Sequence, residues 1–314
     1  MNSENSVRLI NKQTFWQKLS KQKALVVMSV PFVLYVILFR YAPLWGWTMA
    51  FQRYQPAKSF SQQEWVGFKW FVEIFKNEEF RRSLKNTVCM SLISTALGYI
   101  TAITLAVLLN EVKHVGLKRF VQTVSYLPHF LSWIIVVGLV ANVLSVEDGI
   151  LNDILLSLGF IDKPISWLGV PKYFYSIVGW SYVWKEVGWN TIVYLGAMTA
   201  IDPNLYEAAE IDGCGRFRKI MHITLPGIRS TIIIMMIMSA GHILDSNFEI
   251  PYFLQNGLVQ DVATTIDIYV LKYGFKLFNF SLATAAGIFK NVVNILFLLA
   301  ANWFARMFGE ERLV

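Results

Sequence analysis

The sequence predicts an all-α, polytopic membrane protein of six transmembrane helices, with both termini in the cytoplasm. Composition is the first reason: 55% of the 314 residues are hydrophobic, only 16% are charged, and a mean hydropathy of +0.47 is too high for a soluble domain of this length. Distribution is the second, because the apolar residues fall into runs long enough to span a bilayer, at about 24–40, 86–109, 121–144, 173–200, 228–251 and 282–304. The third is a polar island, 202–227, that separates the fourth run from the fifth and has the residue order of a short surface helix.

The formal charge of +7 does not point to nucleic acid, since the Lys and Arg residues are spread over loops and form no basic stripe with interleaved aromatics. Membrane topology explains the excess better. Cys89 lies in an apolar run and Cys214 in the polar island, with neither a metal-ligand spacing nor a credible disulfide between them, so both are expected to be free thiols.

Residues 1–23 read as a cytoplasmic tail carrying Arg8, Lys12, Lys18, Lys21 and Lys23, and residues 24–314 as the transmembrane domain. No small-residue cleavage site follows the first apolar run, which marks it as an uncleaved span and not a signal peptide. Pro31 would bend this span, and Arg40 can snorkel to the interface. From Tyr41 to Arg82 the chain is dense in Trp, Phe and Tyr, the composition of a headgroup belt, and an irregular, partly embedded cap on the outside is expected.

Span two offers Gly98, Thr101 and Thr104 as small or hydroxylated packing positions. A short basic linker with Lys113, Lys118 and Arg119 follows on the inside. In span three, Pro128 and His129 lie near the cytoplasmic end, where a proline frees backbone carbonyls for a bend or a gate, or is tolerated as a kink with His129 bonded to a neighbour. Residues 145–172 read as an outside loop with a short amphipathic piece, and span four returns the chain to the inside just before Asp202. Span five leads out, 252–282 lie outside, and span six leads back to a tail with Arg306 and Arg312.

Charge supports this orientation. The short inside segments hold Lys113, Lys118, Arg119, Arg216, Arg218, Lys219 and Arg229 besides the basic tail, whereas the second and third outside loops hold only Lys163, Lys172, Lys272 and Lys276. The first outside segment weakens the contrast. It carries Arg40, Arg53, Lys58, Lys69, Lys76, Arg81, Arg82 and Lys85, balanced in part by Glu64, Glu73, Glu78 and Glu79.

Within the polar island, Asp202 is a good N-cap, Pro203 suits the first helical position, Glu207-Ala208-Ala209-Glu210 favours helix, and Gly213 or Gly215 can end it. Glu207-Ala208-Ala209, Asp212-Gly213 and Ile223-x-Leu225-Pro226 stand at fixed spacings, and the island resembles the cytoplasmic "EAA" loop of importer-type ABC transporter permeases. Two positions depart from that pattern: Cys214 stands where Ala is usual, and Ile220 where Phe is usual. The resemblance implies that Glu207, Ala208, Ala209, Asp212, Gly213, Leu225 and Pro226 form a coupling element, whose helix lies in a groove of an ATP-hydrolysing subunit. The residue chemistry agrees, since alanines let two backbones approach and Glu207 and Asp212 can reach donors on a partner.

Two further stretches narrow the family. Tyr41-x-Pro43, Gly46, Ala50-Phe51, Tyr54-x-Pro56, Trp65-Val66-Gly67-Phe68 and Asn86-Thr87 form one, and Asn279 to Gly287 with Asn302-Trp303 the other. Both resemble the polysaccharide-type branch of the carbohydrate permeases. The resemblance implies one membrane subunit of an oligosaccharide or polysaccharide-fragment importer in a bacterial plasma membrane. Its implied partners are a second, similar permease, two copies of an ABC ATPase and an external solute-binding protein, in a lipid bilayer and without nucleic acid. This chain would hold no cofactor, ATP and Mg²⁺ belonging to the partner ATPase.

Ionisable residues inside a span cost about 2.5–3.5 kcal/mol each and need a protein or water environment. Lys185, Glu186 and Asn190 beside Trp184 and Trp189 form such a cluster in span four; His242, Asp245, Asn247 and Glu249 form one in span five; Lys290, Asn291 and Asn294 form one in span six. On a continuous helix His242, Asp245 and Glu249 would share a face. Counted at about 1.5 Å per residue from Ile228, they would lie roughly 21 to 32 Å from the cytoplasmic side. A sugar path lined by Trp184, Asn190, His242, Asp245, Glu249, Asn291 and Asn294 is one reading, since hydroxyl-bonding groups and aromatic faces are what a sugar needs. Interhelical pairing is the other, for example Lys185 with Glu186 of a neighbour, or Lys290 with Asp245.

No G-x-x-x-x-G-K-[ST] occurs, and no Ser/His/Asp, paired-carboxylate or metal-ligand spacing stands out, so the chain reads as a transport subunit and not an enzyme. An ion-coupled secondary transporter of a small polar solute is the alternative. That class predicts internal repeats, and none is convincing between the two halves.

Overall fold

A computed structural model describes residues 22–245 and 248–307, so residues 1–21 of the basic tail, Asn247 and Arg312 lie outside the described residues, while Lys23 already belongs to the first helix. The chain divides into two compact units, Met1–Met49 and Ala50–Val314. In the first, helix α1 (Lys23–Val36) continues through a π-helical turn, Ile37–Tyr41, into the 3-10 helix Ala42–Phe51, whose last two residues belong to the second unit. The expected irregular cap is therefore helical over its first ten residues. Pro31 is accommodated inside α1, and Pro43 lies in the first turn of the 3-10 helix, where its missing N–H costs least. The apolar side chains of this helix, Leu25, Phe32, Phe39 and Trp45 among them, are exposed.

In the second unit, β1 (Gln52–Arg53) pairs antiparallel with β2 (Glu64–Trp65), and Trp70 Nε1 on helix α2 (Lys69–Lys76) donates to the Gln52 carbonyl at 2.9 Å. Helix α3 (Glu78–Glu111) begins eight residues before the expected start of span two at Asn86. Asn77 caps it by accepting from the Phe80 N–H at 3.2 Å, and Glu78 and Glu79 favour the positive end of the helix dipole.

Span three is not one helix. Helix α4 (Val115–Tyr126) passes into a 3-10 turn, Leu127–Phe130, and α5 (Trp133–Val143) leaves it at 106°. Pro128 lacks an N–H, and Ser132 adopts an extended conformation at ψ 150°, so the helical ladder cannot cross this point. Helix α6 (Ile150–Ser157) is the amphipathic piece of the next loop, and its buried Asn152 pins that loop through Ser145 O, Ile165 N and O, and Trp167 Nε1.

Helix α7 (Pro171–Met198) runs beside α3 at very short range. A Cβ on Gly179 would lie 2.8 Å from Ile93 Cγ2, and one on Gly188 would lie 2.1 Å from the Ser125 carbonyl oxygen of α4. Small residues at such crossings are how helices associate in lipid, where apolar burial gives little drive. Helix α8 (Pro203–Ile211) is the expected island helix, and α9 (Arg216–Gly227) leads at a 56° bend into α10 (Arg229–Ala240).

The expectation for span five, a helix to residue 251, fails at Ala240. Residues 241–244 form a turn, so His242, Asp245 and Glu249 do not share a helical face and the depth count does not apply beyond Ala240. Backbone turns replace the helical bonds, from the His242 N–H to the Ser239 carbonyl at 3.0 Å and from the Asp245 N–H to the His242 carbonyl at 2.8 Å, and a later helix supplies a substitute acceptor, described below. Short helices α11 (Glu249–Leu254), α12 (Gln260–Ala263) and α13 (Ile266–Leu271) precede the last long one, α14 (Phe280–Met307).

Among the described residues the run Lys23–Phe51, α3 and α14 are each long and apolar enough to cross a membrane, and the two bent pairs bring the number to five. Helix α7 is not among them, because Lys185, Glu186 and Asn190 dilute its apolar run. Three buried clusters hold the second unit together: Phe80 with Tyr269 and Leu282, Met90 with Phe174 and Ile250, and Ala102 with Tyr194 and Ile228. Helix α3 contributes to every one of them, which makes it the post around which the other helices pack.

Candidate functional site

The island helix α8 forms as its residues dictate. Asp202 accepts from the Asn204 N–H at 3.0 Å, and Pro203 opens the helix. Gly213, at φ +74°, ends it: the Gly213 N–H returns to the Glu210 carbonyl and the Cys214 N–H to the Ala209 carbonyl at 2.8 Å. This is a Schellman motif, and only a residue tolerant of positive φ fits its turn. Glu207, Ala208, Asp212, Gly213 and Pro226 are exposed, while Ala209 and Leu225 are half-buried. Large apolar side chains also face outward, with Ile211 87% and Phe217 74% exposed.

Two bonds bracket α8 against α9. The Tyr206 hydroxyl meets Thr224 Oγ1 at 2.9 Å, and Lys219 Nζ donates to Glu210 Oε2 at 3.0 Å. The hydrogen bond from Lys219, reinforced by its charge, holds the Glu210 carboxyl below its ordinary value. Gly227 lies against Ile201, where a Cβ would come within 2.7 Å of Cδ1. The island is thus one body continuous with the start of α10, and the 56° bend at Ile228 is its junction to the span.

At the break between α4 and α5 a second cluster forms. Lys185 Nζ donates to the His129 carbonyl at 2.7 Å and to Glu186 Oε1 at 3.1 Å, and Glu186 Oε2 meets His129 Nδ1 at 2.8 Å. Lys185 also sits 4.8 Å from the centre of the Trp133 ring, and Trp189 stacks on His129 at 4.4 Å. Lys185 and Glu186 therefore pair with each other on one helix and with His129. The freed carbonyl has found a charged donor.

The polar residues of the spans are sorted by the broken helix after Ala240. A cavity of ≈ 230 Å³ lies between α3, α7, α10 and the turn, lined by Ser91, Ser94, Thr95, Tyr182, Ser239, His242 and Asp245 together with Met90, Val178, Met235 and Met238. A smaller one of ≈ 70 Å³, sharing Thr95, Tyr182, Met235 and Ser239, reaches Asn190. His242, Asp245 and Asn190 thus come together along one cleft. Trp184, Glu249, Asn291 and Asn294 do not line it: Trp184 and Asn291 are exposed, Glu249 begins α11, and Asn294 is 5% exposed with its Oδ1 accepting from the Leu244 N–H at 2.9 Å. The hydroxyl stripe Ser91, Ser94, Thr95 was missed by a reading that looked for charges, although its spacing of three and four residues marks one helical face.

A family model described as "Binding-protein-dependent transport system inner membrane component" matches residues 94–309, from the middle of α3 through α14. The chain belongs to this family. It is 42% identical over 294 residues to the polygalacturonan/rhamnogalacturonan transport system permease protein YteP of Bacillus subtilis (strain 168), covering 94% of this chain and 91% of that one. Protein LplB of the same organism is 40% identical over 295 residues, covering 94% and 92%. Among solved structures, a bacterial ABC transporter involved in the import of the acidic polysaccharide alginate matches with TM-score 0.86 and 38% identity over 93% of this chain and 98% of that one.

As a binding-protein-dependent transport component, the chain is a multi-pass permease subunit of an ABC importer in the bacterial plasma membrane. The ion-coupled alternative is set aside by that membership. A second solved structure, the alginate transporter in complex with an alginate pentasaccharide-bound periplasmic protein, matches with TM-score 0.88 and 36% identity over 96% of this chain and 100% of that one.

Proposed function

We propose that this permease supplies half of the path of an oligosaccharide importer and is driven through α8 by a separate ATPase. The observation that carries the reading is the form of the island: a capped helix with exposed Ile211 and Phe217, fastened through Tyr206–Thr224 and Glu210–Lys219 to the start of α10. Large apolar side chains held outward on a capped, braced surface helix fit a surface that a partner covers. Glu207, Ala208, Ala209, Asp212, Gly213, Leu225 and Pro226 form or support the contact, and Mg²⁺ and ATP belong to the partner. A second permease, two ATPase copies and a solute-binding protein complete the importer. Six spans with both termini inside give α8 its cytoplasmic place.

The path follows from the cleft. Its cavities are smaller than the roughly 300 Å³ at which ligand sites begin, which fits a wall completed by the second permease. Asn190, His242 and Asp245 face it; Trp184, Glu249, Asn291 and Asn294 support it or meet the second subunit. Closure of the ATPases would move α8, α9 and α10 together and turn the cleft from inward-facing to outward-facing.

The test is a mild-detergent pull-down of the tagged chain beside a Glu207→Ala, Gly213→Pro variant. Co-purification of an ATPase and a second permease with wild type, and loss of the ATPase alone from the variant, is the expected result. Recovery of the chain by itself in both cases would overturn the reading.

A further inference from the structure

Beside the polar cleft, and sharing Thr95 and Ser239 with it, a groove of ≈ 610 Å³ separates α3 from α10. Its walls are largely apolar, with Leu92, Ala96 and Ile100 from α3 facing Ile232, Met236 and Ala240 from α10. Two of its polar side chains are spent on each other, since the Tyr99 hydroxyl meets Ser239 Oγ at 2.6 Å. Ile103 and Ile232 close one end, because both pack against the buried cluster of Ala102, Tyr194 and Ile228. The other end runs toward the start of α3, and Leu92, Ile100 and Met236 along the walls are half exposed or more. Both helices belong to the membrane-spanning set, so the groove continues the surface that meets lipid.

Two cations stand on the same face of α3, beyond the open end. Arg81 and Lys85 are one turn apart, and Leu92, Ala96, Tyr99 and Ile103 follow them by steps of three, four or seven residues. Both cations are exposed. Among the described residues neither is held in an ion pair, whereas the neighbouring Arg82 is held by Asp261 and Glu78. At about 1.5 Å per residue, Lys85 lies about 21 Å from Tyr99 along the helix. That is half of a bilayer about 40–45 Å thick, which is the length of one phospholipid.

We propose that a phospholipid with an anionic headgroup binds to this face, with its phosphate at Arg81 and Lys85 and one acyl chain in the groove between α3 and α10. The groove is continuous with the lipid-facing surface, the cations match the headgroup in sign, and the distance between cations and groove matches the molecule. A lipid of no net charge fills the groove equally well but leaves the two cations poorly matched. Because α10 is continuous with the island, the bound chain is also a spacer that sets how closely α10 approaches α3.

The experiment takes the tagged chain with the subunits that co-purify and places it in nanodiscs of equal parts phosphatidylglycerol and phosphatidylcholine. The assembly is then stripped with mild detergent, and the lipids it keeps are identified and counted by native mass spectrometry. Wild type keeps phosphatidylglycerol. Ala96→Trp, whose indole fills the groove, keeps one lipid fewer, and the double variant Arg81→Gln, Lys85→Gln loses the preference for phosphatidylglycerol over phosphatidylcholine by about tenfold. If Ala96→Trp does not assemble, the double variant decides alone, because its two changes lie on exposed side chains. Wild type that keeps neither lipid, or keeps both equally, overturns the proposal, as does an unchanged preference in the double variant or an unchanged count in an assembled Ala96→Trp. Failed assembly of Ala96→Trp with no lipid kept by wild type means that a helix of another subunit fills the groove.

Discussion

Asn294 on α14 accepts the Leu244 N–H at 2.9 Å, so one long helix satisfies a backbone group that the other released when it ended at Ala240. Both residues are buried. Asn294→Leu would leave that N–H without an acceptor and is expected to destabilise the fold by about 1–3 kcal/mol. The check is the thermal midpoint of the purified assembly, and an unchanged midpoint would show that the turn finds another acceptor.

Gly188→Ala places a methyl group 2.1 Å from the Ser125 carbonyl oxygen, with the Tyr126 amide 2.9 Å away. Backbone cannot yield as a side-chain tip can, so α4 and α7 must separate, at a cost of roughly 1–3 kcal/mol or more. Reduced yield of assembled importer is expected. Gly196→Ala, which meets nothing within 4 Å, serves as the matched control and should assemble normally.

Lys185→Met leaves Glu186 with only His129 as partner in a half-dry site and should cost about 3 kcal/mol. The double variant Lys185→Met, Glu186→Gln removes both charges and should cost less than the sum of the single changes. A double-mutant cycle on unfolding by a denaturing detergent measures the coupling, and strict additivity would mean that the pair contributes nothing.

The bracket between Glu210 and Lys219 should respond to acid. Because the folded value of Glu210 is depressed below the ordinary 4.5, its contribution is present above that value and is lost as pH falls through the lower folded one. A spin label on Cys214 in a Cys89→Ser background should be restrained at pH 7 and freer in acid. Glu210→Gln should be freer at both, and equal mobility of the two proteins at pH 7 would refute the bracket.

The island was legible because its signals are local: an N-cap, a proline, a helix-favouring run and a glycine whose positive φ ends the helix all act within a dozen residues. The break at Pro128 was legible for the same reason, as a bend without its angle. Span five misled because hydropathy continues past Ala240, whereas the helix does not. The turn that ends it rests on Asn294, fifty residues from Leu244 in the chain, and on Lys290 holding Asp245. The same distance explains the site. His242 and Asp245 were found as charges out of place, but their shared cleft with Ser91, Ser94 and Thr95 is a product of packing, which no run of residues encodes by itself.

The exposed Ile211 and Phe217 matter before transport begins. If α8 docks on an ATPase as proposed, a permease made in excess of that ATPase would display these side chains, and chaperones and proteases recognise exposed apolar surface. Docking hides them. The amount of permease that survives in the cell would then follow the supply of ATPase, and the same two side chains of the proposed coupling surface would enforce subunit stoichiometry.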